Sequence, residues 1–485
     1  MPAPPEHKTK TDRPMINEIS PPPLAAEVFE RLARLPGCIF LDSAQTHPEL
    51  GRYSYVTADP FATIRVPSDS KHPLHRLEAA LNQLSSHRDP ELPPFQGGAA
   101  GLFAYELGRS WETIASPRTD EFHLPALAVG LYDVVIAFDH QQQRCWIVSQ
   151  GWPERDVTAR RQRASDRLEQ FRSVLDQPID GLPSLASHRR ETISIDQQNQ
   201  HHLVHVPGKT SQTPTNLLSN FSANGFKQTV EKAIEYIHAG DVFQVNLAQR
   251  LIHPQSVDSV SLYQRLRAEN PAPFAGYFDM GDFQIVSASP ERFLKVNDGS
   301  IETRPIKGTR QRVTGAEADL FTGDELKQSE KDLAENVMIV DLMRNDLSRV
   351  CDDESVIVNQ LCSVETYQYV QHLVSSVTGQ LLPDCSPFDL LRAAFPGGSI
   401  TGAPKLRAMQ IISELEPHAR GAYCGSLGYL TCDGQMDLSI LIRTITAGGG
   451  WWQLPVGGGI VSQSEPTQEY AETWHKAEGL LRAIL

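Results

Sequence analysis

The chain has 485 residues and a mass of 53.8 kDa, long enough for two large domains or one compound one. Its 40% hydrophobic and 21% charged content is that of a soluble globular protein. A formal charge of −15 argues against a phosphate-backbone binder. An anionic substrate must therefore be drawn in by a local cluster of Arg, Lys, backbone N–H groups or metal.

Residues 1–23, Pro-rich and polar as far as Pro21-Pro22-Pro23, predict a disordered tail with neither a signal peptide's apolar stretch nor a transit peptide's acid-poor character. No apolar run is long enough to span a membrane. Cys38, Cys145, Cys351, Cys362, Cys385, Cys424 and Cys432 form no Cys-x-x-Cys pair, which suits reduced thiols and a cytoplasmic location. Residues 24–176 form an N-terminal region of short strand-like runs, among them Leu131–Phe138 and Arg144–Val148, followed by a charged helix over Glu154–Leu175. Residues 177–220 are rich in Gln, His, Ser, Thr and Pro with no sustained period, and predict a linker or surface excursion. Over 221–485, helical patterns (Phe226–Ala239, Lys327–Met343, Ala403–Leu415, Gln468–Leu485) alternate with strand-like runs (Phe283–Ala288, Val370–Leu381, Gly425–Leu430, Leu438–Ile445). The fold class is α+β or mixed α/β, with its chemistry in the C-terminal half.

Lys307 stands in Arg304-Pro305-Ile306-Lys307-Gly308-Thr309-Arg310, sixteen positions after Glu291. A cation between a stiff Pro-Ile step and a Gly-Thr turn is held on a fixed loop, and desolvated lysines become nucleophiles. Asp332 and Glu335 lie three apart at the head of one helix, and Glu469 and Glu472 repeat the spacing at the head of the last. Residues three apart share a helix face. Each pair either complements the helix dipole or, if the two meet across a cleft, builds an oxygen-only site suited to Mg²⁺. The glycine-rich turn Pro396–Lys405, which contains Ser399, offers free N–H groups to a carboxylate or hydroxyl. Gly457-Gly458-Gly459 reads either as a hairpin or as backbone that a ligand approaches closely. Arg443 ends an apolar strand, so its guanidinium needs a partner, an internal carboxylate or a substrate's. His372 opens another strand, where a histidine is structural or catalytic.

Together these motifs resemble the chorismate-utilising family: anthranilate synthase large subunit, aminodeoxychorismate synthase component I, and isochorismate and salicylate synthases. The resemblance runs from about Phe221 to Leu485 through Gly240–Arg250, Ser289-Pro290-Glu291, the Lys307 segment, Asp341–Leu347, Gly397–Lys405 and the last helix. A weaker match covers Phe40–Ser43 and Pro94–Gly98, continuing to Arg109; residues 177–220 match nothing. The family fold implied is two β-sheets packed face to face with helices outside and the active site between them. By motif, the resemblance implies Glu335 and Glu472 as the principal Mg²⁺ ligands, with Asp332 and Glu469 completing the shell. Asp332 departs from the glutamate common in anthranilate synthases. Tyr423, Arg443 and the Gly457–Gly459 amides, with Lys476 beside them, resemble the anchors of the enolpyruvyl carboxylate. Gly308 and Thr309 would contact the ring side, His372 would lie beneath the ring, and Glu291 would be the acid for the departing C4 hydroxyl.

The resemblance also discriminates among reactions. Anthranilate synthases typically carry alanine where this chain has Lys307, and isochorismate synthases place their lysine elsewhere. The aminodeoxychorismate branch implies attack of neutral Lys307 at C2 of chorismate, then addition of ammonia at C4; a lysine that stays charged and only attracts the substrate is the alternative. Gln244 would help position ammonia. No glutaminase nucleophile turn surrounds any cysteine, so ammonia would come from a separate subunit. An anthranilate synthase large subunit and a non-catalytic sensing member are the rival readings. Ser43, Tyr53, Pro273 and Phe274 resemble the region where family members bind tryptophan, or mark an ordinary strand end.

Overall fold

The computed structural model describes residues 13–45, 50–178, 181–182, 192–195, 201–207, 214–311, 324–366 and 370–485, with backbone only at 309–311, 366 and 370. Two antiparallel sheets of thirteen and ten strands dominate it. Three apolar cores set the layering. One lies between the sheets, where Phe278 and Ile285 of the larger meet Leu102, Leu427 and Tyr429 of the smaller. The second covers the outer face of the larger sheet with helices such as Ala25–Leu32, Ala223–His238 and Pro466–Ile484. The third covers the smaller sheet with His75–Leu81, Glu330–Ser348 and Pro387–Ala394. This is the face-to-face sandwich with outer helices that the sequence led us to expect. Among the described residues no helix is long and apolar enough to cross a membrane, and all seven cysteines are free.

Because both faces of a central strand are buried, its sequence reads as a continuous apolar run. Val134, Ile136 and Phe138 face the helix-side core, while Val135 and Ala137 face the other sheet. Such a run hides a change of sheet, and two predicted strands are each divided for this reason. Leu131–Phe138 spans the end of Leu127–Tyr132 in the smaller sheet and most of Val134–Asp139 in the larger. Buried Asp133 stands at that switch, 3.4 Å from Arg163 and 3.1 Å from Arg167 of the helix Val157–Asp176. Leu438–Ile445 likewise divides between Met436–Ile440 and Thr444–Gly448, in different sheets, with Arg443 at φ 51° between them.

A third crossing carries Phe283–Ser289 of the larger sheet into Arg292–Asn297 of the smaller through Pro290 and Glu291. It runs beside the Arg443 crossing. The Ile440 amide donates to the Glu291 carbonyl at 3.0 Å, and the Ala288 amide to the Arg443 carbonyl at 3.1 Å. Glu291 and Arg443 are thereby fixed at the seam between the sheets.

Three boundaries differ from expectation. Met15–Ile19, within the segment expected to be disordered, is an edge strand paired with Arg144–Ser149. Its alternate residues Met15, Asn17 and Ile19 turn inward, and Glu18 pairs with Arg144. Gly402–Ala403 pairs with Gln244–Val245 instead of starting the helix, which begins at Lys405. Within 177–220, residues 179–180, 183–191, 196–200 and 208–213 lie outside the described residues. His202–Leu203 and Leu218–Ser219 extend the edge of the larger sheet, and Ile195 is buried between the sheets. Strands from before and after this segment alternate in both sheets: Ile39–Asp42 pairs with Phe274–Asp279, and Gly98–Phe103 with Ser426–Leu430.

Candidate active site at the seam between the sheets

Glu291 is 3% exposed. Ser399, from the glycine-rich turn, donates its hydroxyl to Glu291 Oε1 at 2.7 Å. Burial pushes the Glu291 carboxyl up to about 7, against the pull of Ser399, Lys307, the Ile306 backbone and Arg443. Lys307 Nζ donates to the Ser399 carbonyl at 3.2 Å and lies 3.9 Å from Glu335 Oε2. Burial holds its pKa below the ordinary lysine value, although Glu335, Glu291 and Glu472 oppose this. One serine therefore holds both a carboxyl whose pKa burial raises and an amine whose pKa burial lowers.

The Lys307 strand, Ile306–Gln311, pairs with Val370–Gln380, and its register slips between Lys307 and Thr309. Gly308 occupies the slip at φ +72°, a conformation that favours glycine. A Cβ there would meet Leu326 Cδ1 at 2.8 Å and Asp332 Cγ at 3.0 Å, so the glycine also admits the acidic helix. The Thr309 backbone pairs with His372; the Thr309 side chain lies outside the described residues. His372, 2% exposed, is pushed down to about 3 by burial and by Arg443, against a hydrogen bond to the Gly308 backbone. It is a neutral imidazole at any working pH.

Arg443 departs from the internal ion pair that was one of its two readings. Its guanidinium makes no hydrogen bond or ion pair among the described residues. Burial holds its pKa below the ordinary arginine value and Glu291 opposes this. A largely desolvated cation without a carboxylate partner is a ready anion site.

The three glycines form no hairpin: they lie inside the strand Trp451–Ile460, paired with Gln244–Pro254 as Gly457↔Ala248, Gly458↔Leu247 and Gly459↔Asn246. On its other side that strand pairs with Thr444–Gly448 only as far as Gln453. The divergence of the neighbour, which begins at Arg443, leaves that edge open from Leu454 onward. Gln244 Nε2 is packed on Gly459, where any Cβ would lie 1.9 Å away, and Gln244 Oε1 is buried without a hydrogen-bond partner among the described residues. Tyr423 is buried with the Arg420 guanidinium 5.7 Å from its ring centroid, and makes no hydrogen bond to Arg443 or to the glycines.

Two of the acids, Glu469 and Glu472, reach this strand. A Cβ on Gly458 would lie 3.4 Å from Glu472 Oε1, 3.4 Å from Lys476 Nζ and 3.5 Å from Glu469 Oε2. Lys476 bridges Glu472 at 2.6 Å and the Gly457 carbonyl at 2.9 Å. Ser464 donates to Glu469 Oε1 at 2.6 Å, and Lys331 reaches the same oxygen at 3.5 Å. Burial raises the Glu335 pKa, against Lys307 and Lys331. For Glu472 burial works upward, but Lys476, Lys331 and Lys307 bring it below the usual carboxylate value. The expected donor set offers only carboxylate oxygens, and Glu335, Glu469 and Glu472 have Lys307, Lys331 and Lys476 as cationic neighbours. That chemistry fits a small, hard cation such as Mg²⁺.

Sequence reasoning missed Lys331 and Ser464. Lys331 carried a readable signal: a lysine in the first turn of a helix opposes the dipole. Also missed was a buried cluster elsewhere, Glu121, His201 and His418, whose ligand-type atoms lie within 4.8 Å of one another. Arg250 already supplies the cation there, pairing with both Glu121 oxygens at 2.9 Å and lying 3.0 Å from His201 Nε2. Of the tryptophan-region residues, Ser43 bonds the Ser54 hydroxyl at 3.0 Å and the Tyr53 carbonyl at 2.6 Å. Asp42↔Ala275 pairing brings Pro273 and Phe274 alongside, and Arg292 lies 4.9 Å from the Phe274 ring.

Comparisons with known proteins identify the family. The family model described as chorismate binding enzyme matches residues 37–482. Aminodeoxychorismate synthase component 1 of Salmonella typhimurium is 38% identical, covering 98% of this chain and 99% of that protein. Anthranilate synthase component 1 of Thermus thermophilus is 39% identical, covering 86% and 83%. The crystal structure of anthranilate synthase component I from Streptococcus pneumoniae superposes with a TM-score of 0.73 at 31% identity, covering 90% of this chain and 93% of that one.

Proposed function

The chain belongs to the chorismate-binding enzymes, and from that premise we propose that it aminates chorismate at C4, giving 4-amino-4-deoxychorismate, the precursor of 4-aminobenzoate and folate. One observation carries this reading: a buried lysine amine, Lys307, is tethered to the same serine that holds the proton-bearing Glu291. Relatives of both names reach 38–39% identity, so overall identity does not separate amination at C4 from anthranilate formation. Lys307 favours amination at C4, because a covalent route at C2 needs an amine there.

In this mechanism the neutral Lys307 amine attacks C2 and forms a C–N bond. Both conjugated ring double bonds shift, and the C4–O bond breaks as Glu291 gives its proton to the departing hydroxyl. Ammonia then attacks C4, both double bonds return, and the C2–N bond to Lys307 breaks. Covalent catalysis replaces one hard substitution by two allylic displacements. Arg443 and the open edge of the Gly457–Gly459 strand take the enolpyruvyl carboxylate, with Lys476 and Tyr423 alongside and neutral His372 packing beneath the ring. The unpartnered Gln244 Oε1 accepts a hydrogen bond from incoming ammonia. Glu335 and Glu472, supported by Asp332 and Glu469, would hold Mg²⁺, which supplies charge neutralisation for the ring carboxylate. Ammonia comes from a separate glutaminase partner, consistent with the "component 1" names of the relatives.

Chorismate, ammonium and Mg²⁺ with product identification test the reading. The expected product becomes 4-aminobenzoate only when a lyase is added. Direct formation of fluorescent anthranilate would overturn amination at C4. Unimpaired amination by Lys307→Ala would overturn the covalent step.

A further inference from the structure

Lys331 is unexplained by the fold. It sits in the first turn of the helix Glu330–Ser348, where a positive charge opposes the dipole. It is also four residues before Glu335, the less favourable order for a Lys–Glu pair on a helix. Within its helix Glu335 supports the charge, but an exposed ion pair adds little stability by itself. Its position becomes intelligible only across the cleft, where its ammonium stands 3.5 Å from Glu469 Oε1.

The three lysines facing the acids are not held alike. Lys307 is 12% exposed and tethered to the Ser399 carbonyl. Lys476 is tethered to the Gly457 carbonyl as well as to Glu472. Lys331 is 42% exposed, and its contact with Glu469 is its only hydrogen bond among the described residues. If it swings into solvent, Glu469 keeps the 2.6 Å hydrogen bond from Ser464. Lys331 is the cation that can leave.

We propose that Lys331 is an exchangeable internal counterion of the carboxylate cluster, displaced when a divalent cation binds, and that it sets the affinity of the free enzyme for that cation. It is a positioning residue, not a catalytic one: it keeps Glu469 and its neighbours together without metal and holds metal affinity down. The inference rests on the four acids being metal ligands.

The test is Mn²⁺ binding to the full-length protein without chorismate, followed by electron paramagnetic resonance, for wild type, Lys331→Gln and Lys331→Arg. Removing one positive charge beside a divalent site is expected to tighten binding on the order of ten-fold, with Mg²⁺ competing. Lys331→Arg, which keeps the charge, should stay near wild type. In EDTA, Lys331→Gln should melt below wild type, and metal should raise its melting temperature by more. Equal Mn²⁺ affinity in wild type and Lys331→Gln would overturn the inference and leave the metal site standing. Absence of Mn²⁺ binding in every form would overturn the metal site, and the inference with it.

Discussion

Glu291→Gln separates the cost of burying a charge from the use of a proton. Burial raises the Glu291 pKa from 4.5 to about 7, a difference equivalent to about 3 kcal/mol. The sign follows from proton binding: between those values the folded protein keeps a proton that the unfolded chain releases. The stability linked to that proton is fully present below pH 4.5 and is lost as pH rises through 7. Glutamine cannot ionise, so at pH 8 the variant is expected to be more stable than wild type by up to about 3 kcal/mol. At pH 5 most of that advantage disappears. The Ser399 hydroxyl can still donate to the amide oxygen, whereas the Ile306 backbone, which bonds the carboxylate, faces an amide NH₂ that cannot accept. That cost is the same at both pH values and cancels when the two are compared. Urea denaturation of wild type and variant at pH 5 and pH 8 measures the effect. A stability difference that does not change with pH, or one that favours wild type more strongly at pH 8, would refute the account of Glu291 as a buried, proton-holding acid. The same variant should lose roughly 10²–10⁴-fold in turnover, the usual contribution of general acid catalysis.

Ser399→Ala removes the donor that lowers the Glu291 pKa, so the alkaline limb of kcat/KM against pH should move to higher pH; a limb that stays in place or moves down refutes the pairing. Gly308→Ala forces a side chain into φ +72° and against Leu326 and Asp332. It is expected to cost at least about 1–2 kcal/mol from backbone strain alone, read as a lower denaturation midpoint, and an unchanged midpoint would remove the need for glycine at that slip.

Much of the site was legible because its parts are local. Serine, threonine or aspartate caps and acidic first turns mark helix starts, so the carboxylate-bearing helices were placed to within a few residues; Ser329 caps one by accepting from the Asp332 amide. Lys307 between Pro-Ile and Gly-Thr was legible as a fixed cation, because proline and the bulge glycine restrict the backbone around it. The sheet crossings were not legible. A strand buried on both faces carries no period that changes when it leaves one sheet for another, so Leu438–Ile445 looked like one strand. The glycine run was ambiguous for a related reason: Gly457–Gly459 is strand, and what demands glycine is the approach of the Leu247 carbonyl at Gly457 and the packing of Gln244 on Gly459.

The sequence by itself determined the family motifs, and through that resemblance the two-sheet architecture, together with the residue types available for chemistry, because motifs are properties of neighbouring residues. Tertiary structure alone decided which charges meet. It left Arg443 without an ion pair among the described residues, joined Glu291 and Lys307 through Ser399, and put Lys331 opposite Glu469 across a gap of 138 positions in the chain. Electrostatic partnership and desolvation depend on distance and burial in space, and neither is written in the order of residues along the chain.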